Sequence, residues 1–255
     1  MGGRLRVSTN AFVLRRIRWS DSSLILTLYS LDFGRISAVV RGALRPGSRF
    51  LGRIELFSQD EFQLIRREGR ELDTAIEASV VSHGRLLRTN FRAFAGAGLF
   101  ADWLLSVVSH GNEPSGPVYR LLEQVFALLE SGSNPWPVVC GGVIRLLQLS
   151  GLGFSADTCA ACGARIQGPA FWSHSSGGVL CGNCGESGFP VKSGLISFLS
   201  KAGNSSLESV ARVSLWPGGY IQCHSLLKEY AQVHLEHRLL LRSEKVMKEM
   251  LNAGQ

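Results

Sequence analysis

No lysine occurs in the first 53 residues, and the only carboxylates there are Asp21 and Asp32. Against them stand ten arginines: Arg4, Arg6, Arg15, Arg16, Arg18, Arg35, Arg41, Arg45, Arg49 and Arg53. The segment carries +8 in a chain of net charge +7, so the other 202 residues sum to −1. Arginine used without lysine favours forked contacts to phosphate and stacking on bases over general solubility. Charge this concentrated is the electrostatic footprint of a nucleic-acid binder, with a solvated positive face as the bland alternative.

Other absences narrow the class further. The opening residues hold no apolar signal core, and Arg6 stands where a myristoylation motif needs Ser or Thr. The most apolar run, Ala93 to Val108, is short for a membrane span and contains Asp102, so it reads as a buried helix. There is no P-loop, and Gly151-Leu-Gly153 stops after two glycines of a dinucleotide fingerprint. His234-Leu-Glu236-His237 spaces its histidines three apart, not as a metalloprotease helix does, so they read with Tyr230 as helix-face residues. No paired carboxylates suggest a two-metal nuclease. The expectation is a protein that binds rather than catalyses, and no catalytic residue is nominated.

What is present is globular, with 45% apolar and 18% charged residues. Residues 1–82 read as five short strands: Phe12 to Trp19, Leu24 to Leu31, Arg35 to Arg41, Glu61 to Arg67 and Leu72 to Val80. Turn chemistry separates them at Ser20-Asp21-Ser22, Asp32-Phe33-Gly34, Arg45-Pro46-Gly47 and Glu68-Gly69-Arg70. Leu24, Leu26 and Leu28 share one face; Ile36, Ala38 and Val40 point inward, with Arg35 and Arg41 opposite. Five short strands suit a small closed barrel, because closure removes exposed edges. An OB-fold fits, and an SH3-like barrel stays open at this stage. From Leu86 the period turns helical over Phe91–Val108, Val118–Leu129 and Val138–Leu149. Breaks fall at Gly111-Asn-Glu-Pro114 and Gly132-Ser-Asn-Pro135. A stripe of Leu226, Leu227, Tyr230, Val233, His237, Leu240, Leu241 and Met247 predicts one long C-terminal helix. The run Gly194 to Ser206 is ambiguous. The expected organisation is α+β and multi-domain: a barrel over 1–82, a helical domain over 83–154 and 191–255, and an insertion at 155–190.

That insertion holds the sharpest motif, Cys159-Ala-Ala-Cys162 followed after eighteen residues by Cys181-Gly-Asn-Cys184. Two such knuckles supply four thiolates for one tetrahedral Zn2+, with Val179-Leu180 leading into the second as a strand. Four sulfurs leave no open position, so the ion is expected to be structural. A redox dithiol would need one knuckle only, followed by a helix. His174 is a lesser possibility as a substitute ligand, and Cys140 and Cys223 read as buried thiols. This cysteine usage fits a reducing compartment, with cytoplasm as the default and no membrane association.

Several segments together resemble the RecO family of bacterial recombination mediators. They are Phe12-Val-Leu-Arg-Arg16, Leu26-Thr-Leu-Tyr29, Gly34-Arg-Ile-Ser-Ala38 and Arg41-Gly-Ala-Leu-Arg-Pro-Gly-Ser-Arg-Phe50. Leu146-Leu-Gln-Leu-Ser-Gly151-Leu-Gly-Phe154 ahead of the first knuckle, Gly177-Gly-Val-Leu-Cys181 and Leu226-Leu-Lys-Glu-Tyr230 continue it. The resemblance implies an N-terminal five-stranded OB-fold barrel, a helical domain and an inserted four-cysteine module like a zinc ribbon. It further implies binding of single- and double-stranded DNA, annealing of complementary strands, and loading of RecA together with RecR onto strands covered by single-strand binding protein. Work of this kind places such a protein at the nucleoid. Gly47 departs from the family pattern, where a basic residue is expected, which removes one phosphate contact. Family members vary in the zinc cysteines, so the metal is not expected in the annealing chemistry. The residues nominated for DNA backbone contact are Arg15, Arg16, Arg35, Arg41, Arg45 and Arg49. Trp19, Tyr29 and Phe33 could stack on bases, with core or turn packing favoured for each. Arg145 is nominated, by resemblance, to grip the acidic C-terminal tail of single-strand binding protein. The rival readings are a zinc-ribbon RNA- or ribosome-associated binder and a metal-dependent nuclease.

Overall fold

The computed structural model describes residues 4–67, 69–109 and 114–253. It forms two compact units, residues 1–94 with 108–126 and residues 95–107 with 127–255. The breaks expected at Glu68 and at Gly111, Asn112 and Glu113 lie outside the described residues.

In the first unit, β1 (Arg4–Arg18), β2 (Leu24–Ser30), β3 (Gly34–Val40), β4 (Gln59–Arg67) and β5 (Leu72–Ser82) close into a barrel in the order β1-β2-β3-β5-β4. Every neighbouring pair is antiparallel except β3–β5, which is parallel. That closure and order make an OB-fold and decide against the SH3-like alternative. Leu24, Leu26, Leu28, Ile36, Ala38 and Val40 fill the interior with Phe62 and Leu64, as the alternation requires. Each of these buried side chains larger than alanine contributes about 1.5–3 kcal/mol. β1 starts at Arg4, not Phe12, because it serves two neighbours. Residues 4–12 pair with β4 and residues 11–18 with β2. Its first residues are too polar to show apolar alternation. The compact unit built on this barrel also takes in α1 (Arg85–Thr89) and residues 108–126, so it extends beyond the segment 1–82 that is rich in strands. Phe12 packs its ring 5.3 Å from Tyr119 and 5.4 Å from Phe126.

The second unit contains α4 (Pro135–Leu149), α5 (Ser193–Asn204), α6 (Leu207–Ala211), α7 (Pro217–Leu235) and α8 (Glu244–Ala253). Two more helices, α2 (Phe91–Val107) and α3 (Gly116–Glu130), cross the division between the units. Asn134 caps α4 through the Trp136 amide with Pro135 in the first turn, and α4 is buried along most of its length. Gly141 permits that burial: a Cβ there would stand 2.8 Å from Val210 and 3.1 Å from Leu207 of α6. The ambiguous run from Gly194 is helix α5, with Leu195, Phe198, Leu199 and Ala202 as its buried stripe.

The single C-terminal helix expected from the apolar stripe is corrected. Glu236 adopts φ 56°, α7 ends at Leu235, and α8 begins only at Glu244. Asp102, the lone carboxylate of the apolar run, is buried and accepts from the Ser243 amide at 2.8 Å, fixing the start of α8. With the break, Leu239 and Leu241 turn inward while Val233 and Leu240 are exposed. Among the described residues no helix is long and apolar enough to cross a membrane.

Candidate nucleic-acid interface and metal centre

Five of the six nominated arginines separate into two groups, with Arg15 between them. Arg16 pairs with Glu55. Arg35 donates through Nη1 to the Val108 carbonyl at 3.0 Å, and burial, then the nearby Arg15 charge, lowers its pKa. Both are committed inside the first unit. Arg15 is half-buried on β1. Arg41, Arg45 and Arg49 are exposed, and among the described residues no carboxylate pairs with them.

The reason lies in the β3–β4 connection. Ala43, Phe50 and Ile54 plug the end of the barrel core, so the loop is pinned from within. Successive tight turns then lift the arginines outward: Arg45 N to Gly42 O at 3.2 Å and Ser48 N to Arg45 O at 3.1 Å. Gly42 has φ 68°, a conformation that favours glycine right after β3. The Leu44 amide bonds the Ser22 carbonyl at 3.0 Å and ties this loop to the β1–β2 turn. Between the two turns lies a cleft of about 670 Å3, lined by Trp19, Ser22, Ser23, Arg41, Arg45 and Leu72.

Trp19 is the main correction among the aromatic residues. The sequence favours core or turn packing for it, but the residue is 66% exposed and lines the cleft with Arg41 and Arg45. Tyr29 is buried, and burial raises its hydroxyl pKa to about 12, so it belongs to the packing. Phe33 is half-buried, with the Arg66 guanidinium 4.2 Å from its ring centroid. Counting charge over residues 1–53 misses Arg66, Arg67 and Arg70, which β4 and its following turn bring beside Arg4. The signal is present as a second arginine cluster at 66–70, but strand pairing is needed to bring the two together.

In the second unit the four motif cysteines converge. Their sulfurs all lie within 4.8 Å of one another, with Cys162 and Cys181 Sγ 3.9 Å apart. A tetrahedral site with metal–sulfur bonds of about 2.3 Å needs sulfurs roughly 3.8 Å apart. Each knuckle closes on itself: Gly163 N donates to Cys159 O at 2.9 Å, and Cys184 N to Cys181 O at 3.0 Å. The Cys181 amide also points at Cys159 Sγ from 3.4 Å. Amides of Cys181 and Cys162 pull the Cys159 thiol down to about 6, while sharing protons with Cys162 and Cys181 pushes Cys184 up to about 12. Crowded thiols that cannot all ionise alone are a donor set that one divalent cation would satisfy. The residues present could therefore hold a metal ion.

A three-stranded sheet frames the cluster: β6 (Ala170–Ser173), β7 (Gly178–Cys181) and β8 (Phe189–Val191), in the order β7-β6-β8. Trp172 packs edge-on against Phe154, in the segment after α4, at 5.0 Å and against Tyr230 of α7 at 5.7 Å, which anchors the sheet. His174 is not among the converging donors. Its Nδ1 accepts from Trp172 Nε1 at 3.0 Å and its Nε2 faces Glu229 at 2.9 Å. Cys140 and Cys223 are buried thiols. Arg145 on α4 donates to the Ser205 carbonyl at the end of α5, and burial lowers its pKa. It therefore ties two helices together. The exposed His234 ring lies tilted against the buried Tyr230 ring on α7, with centroids 4.3 Å apart, while His237 is exposed beyond the end of α7 and faces the carbonyls of Leu235 and Ser106.

The profile for the recombination protein O N-terminal region matches residues 4–83, and that for its C-terminal region matches residues 88–243. The chain is 29% identical over 233 residues to the DNA repair protein RecO of Pelotomaculum thermopropionicum, covering 90% of each. It is 32% identical over 196 residues to the DNA repair protein RecO of Desulforudis audaxviator, covering 76% of this chain and 77% of that one. To the protein of the same name from Bifidobacterium longum subsp. infantis it is 34% identical over 171 residues, covering 66% and 70%.

Proposed function

The chain belongs to the RecO family of DNA repair proteins, and on that premise we propose a recombination mediator that works by binding alone. It holds single- and double-stranded DNA on the barrel, anneals complementary strands coated with single-strand binding protein, and with RecR assists loading of RecA. Annealing breaks no covalent bond. It needs phosphate charge neutralised while bases stay free to pair, and exposed guanidinium groups beside an aromatic ring suit that task. The observation that carries this reading is the cleft where Trp19, Arg41 and Arg45 meet, free of carboxylate partners among the described residues.

Zn2+ is the ion proposed for Cys159, Cys162, Cys181 and Cys184. It would cross-link two knuckles and take no part in strand pairing. The helical unit receives the tail of single-strand binding protein, and Arg145 would have to exchange its bond to Ser205 to grip it. The protein works in the cytoplasm, at the nucleoid.

Titrating a labelled single strand while following tryptophan emission tests the binding reading. Trp103, Trp136 and Trp172 are buried and Trp216 is half-buried beneath the Lys192 ammonium, so a base stacking on Trp19 should quench emission from the exposed Trp19 side chain. Trp19→Ala should abolish most of the quench and weaken binding by about tenfold, since one base–aromatic stack is worth ~1–3 kcal/mol. Quenching that survives this substitution, or a strand cut in the presence of Mg2+, would refute the reading. Tighter binding to folded RNA than to single-stranded DNA would favour the RNA-binding alternative.

A further inference from the structure

A second cleft opens on the first unit, of about 520 Å3, lined by Arg4, Leu5, Phe33, Arg66, Arg67 and Arg70. Strand pairing builds it, because Arg4 of β1 lies directly opposite Arg67 of β4. Arg66 is committed: it stacks over Phe33 and pairs with the buried Asp73 carboxylate at 3.2 Å. Arg4, Arg67 and Arg70 are different. Among the described residues no carboxylate pairs with them, and Arg67 is held below its ordinary pKa by Arg4 first, then slight burial, Arg70 and Arg41. Three guanidinium groups are thus kept close over an apolar floor of Leu5 and Phe33, with Leu5 63% exposed.

The turn after β4 and the start of β5 carry the chain from one cleft to the other. Gly69 and Arg70 line this one, while Leu72 lines the cleft of Trp19 and Arg41. Arg41 of the first cleft is the smallest of the charges that lower the Arg67 pKa, so the positive fields of the two clefts overlap. We propose that the cleft of Arg4, Arg67 and Arg70 binds the phosphate backbone of a second nucleic-acid strand, separate from the strand held at Trp19, Arg41 and Arg45. One barrel would then carry both strands to be annealed. The proposal rests on the nucleic-acid reading above. Phosphate is favoured over an acidic protein segment because the rim is all arginine, it lies over a ring and an exposed leucine, and it continues the field of the first cleft.

The test uses the full chain with two oligo(dT) strands of about ten nucleotides, one carrying a donor dye and the other an acceptor. They cannot pair, so energy transfer reports two strands on one protein. Wild type should give transfer. Arg67→Ala with Arg70→Ala should reduce transfer to background while polarisation shows first-strand affinity changed by less than about threefold. Arg67→Lys with Arg70→Lys should restore part of the transfer. Arg70 is exposed and Arg67 half-buried on the barrel surface, and an unchanged melting temperature verifies that the variants fold. Parallel loss of affinity and transfer would mean that Arg67 and Arg70 also hold the first strand, so that the two clefts are not separate sites, and would overturn the proposal. Unchanged transfer in the alanine variant would also overturn it and leave the cleft to an acidic protein segment. Wild type binding one strand without transfer would remove the second strand only, whereas no binding at all would remove the nucleic-acid reading itself.

Discussion

Replacing Arg41 and Arg45 together by alanine should weaken single-strand binding in proportion to the number of phosphates no longer neutralised. Each neutralised phosphate contributes about 0.7 to the logarithmic salt dependence on a single strand, so removing two should reduce the slope by about 1.4. Extrapolated from 1 M to 0.15 M salt, that change corresponds to roughly 14-fold in affinity, or about 1.6 kcal/mol. The structure also supplies an internal control. Arg16 is paired with Glu55, and Arg35 is spent on the Val108 carbonyl, so neither offers a free fork. Arg35→Ala should instead lower stability by ~1–3 kcal/mol through the carbonyl left unpaired, with little effect on the salt slope. Polarisation titrations across a salt series, with thermal melts of the same proteins, separate the two effects. An equal loss of slope from the Arg16 and Arg35 substitutions would refute the division between committed and available arginines.

Two further outcomes follow from the helical unit. Chelation should expose four thiols to a chromogenic reagent and loosen residues 155–191, while Cys140 and Cys223 stay protected until global unfolding; six thiols reacting together would contradict a separable metal module. His224 is buried, accepts from Trp103 Nε1 at 3.0 Å, and faces Glu244, Lys228 and Lys248; burial takes its pKa from 6.5 down to about 4. The unfolded chain therefore binds the extra proton between those values. The contribution is intact above pH 6.5, is lost as pH falls toward 4, and amounts to at most about 3 kcal/mol. Denaturant melts should show this acid limb and lose most of it in His224→Gln; an unchanged limb would assign it to other groups.

Much of this was legible in the sequence because periodicity and spacing are local. The alternation in Leu24–Leu28 and Ile36–Val40 identified the barrel faces, and two CxxC pairs identified four donors before their sulfurs were seen together. What escaped depends on contacts distant in sequence. The stripe from Leu226 to Met247 is regular, yet Glu236 turns left-handed and Asp102 caps a new helix at Ser243. Trp19 follows an apolar-looking strand but stands beyond its last paired residue, Arg18, so it faces solvent. Arg35 looks identical to Arg41 in a charge count, and only the approach of Val108 distinguishes them. Arg67 lies opposite Arg4 because β1 is long enough to pair on two sides, which no local pattern shows.

The most direct measurement mixes two complementary labelled strands, each precoated with the cognate single-strand binding protein, and follows duplex formation with and without this chain. The account expects acceleration that fades as salt rises, leaves both strands intact and falls sharply when Arg41 and Arg45 are replaced. No acceleration by folded, metal-loaded protein that still binds DNA would contradict the mediator account.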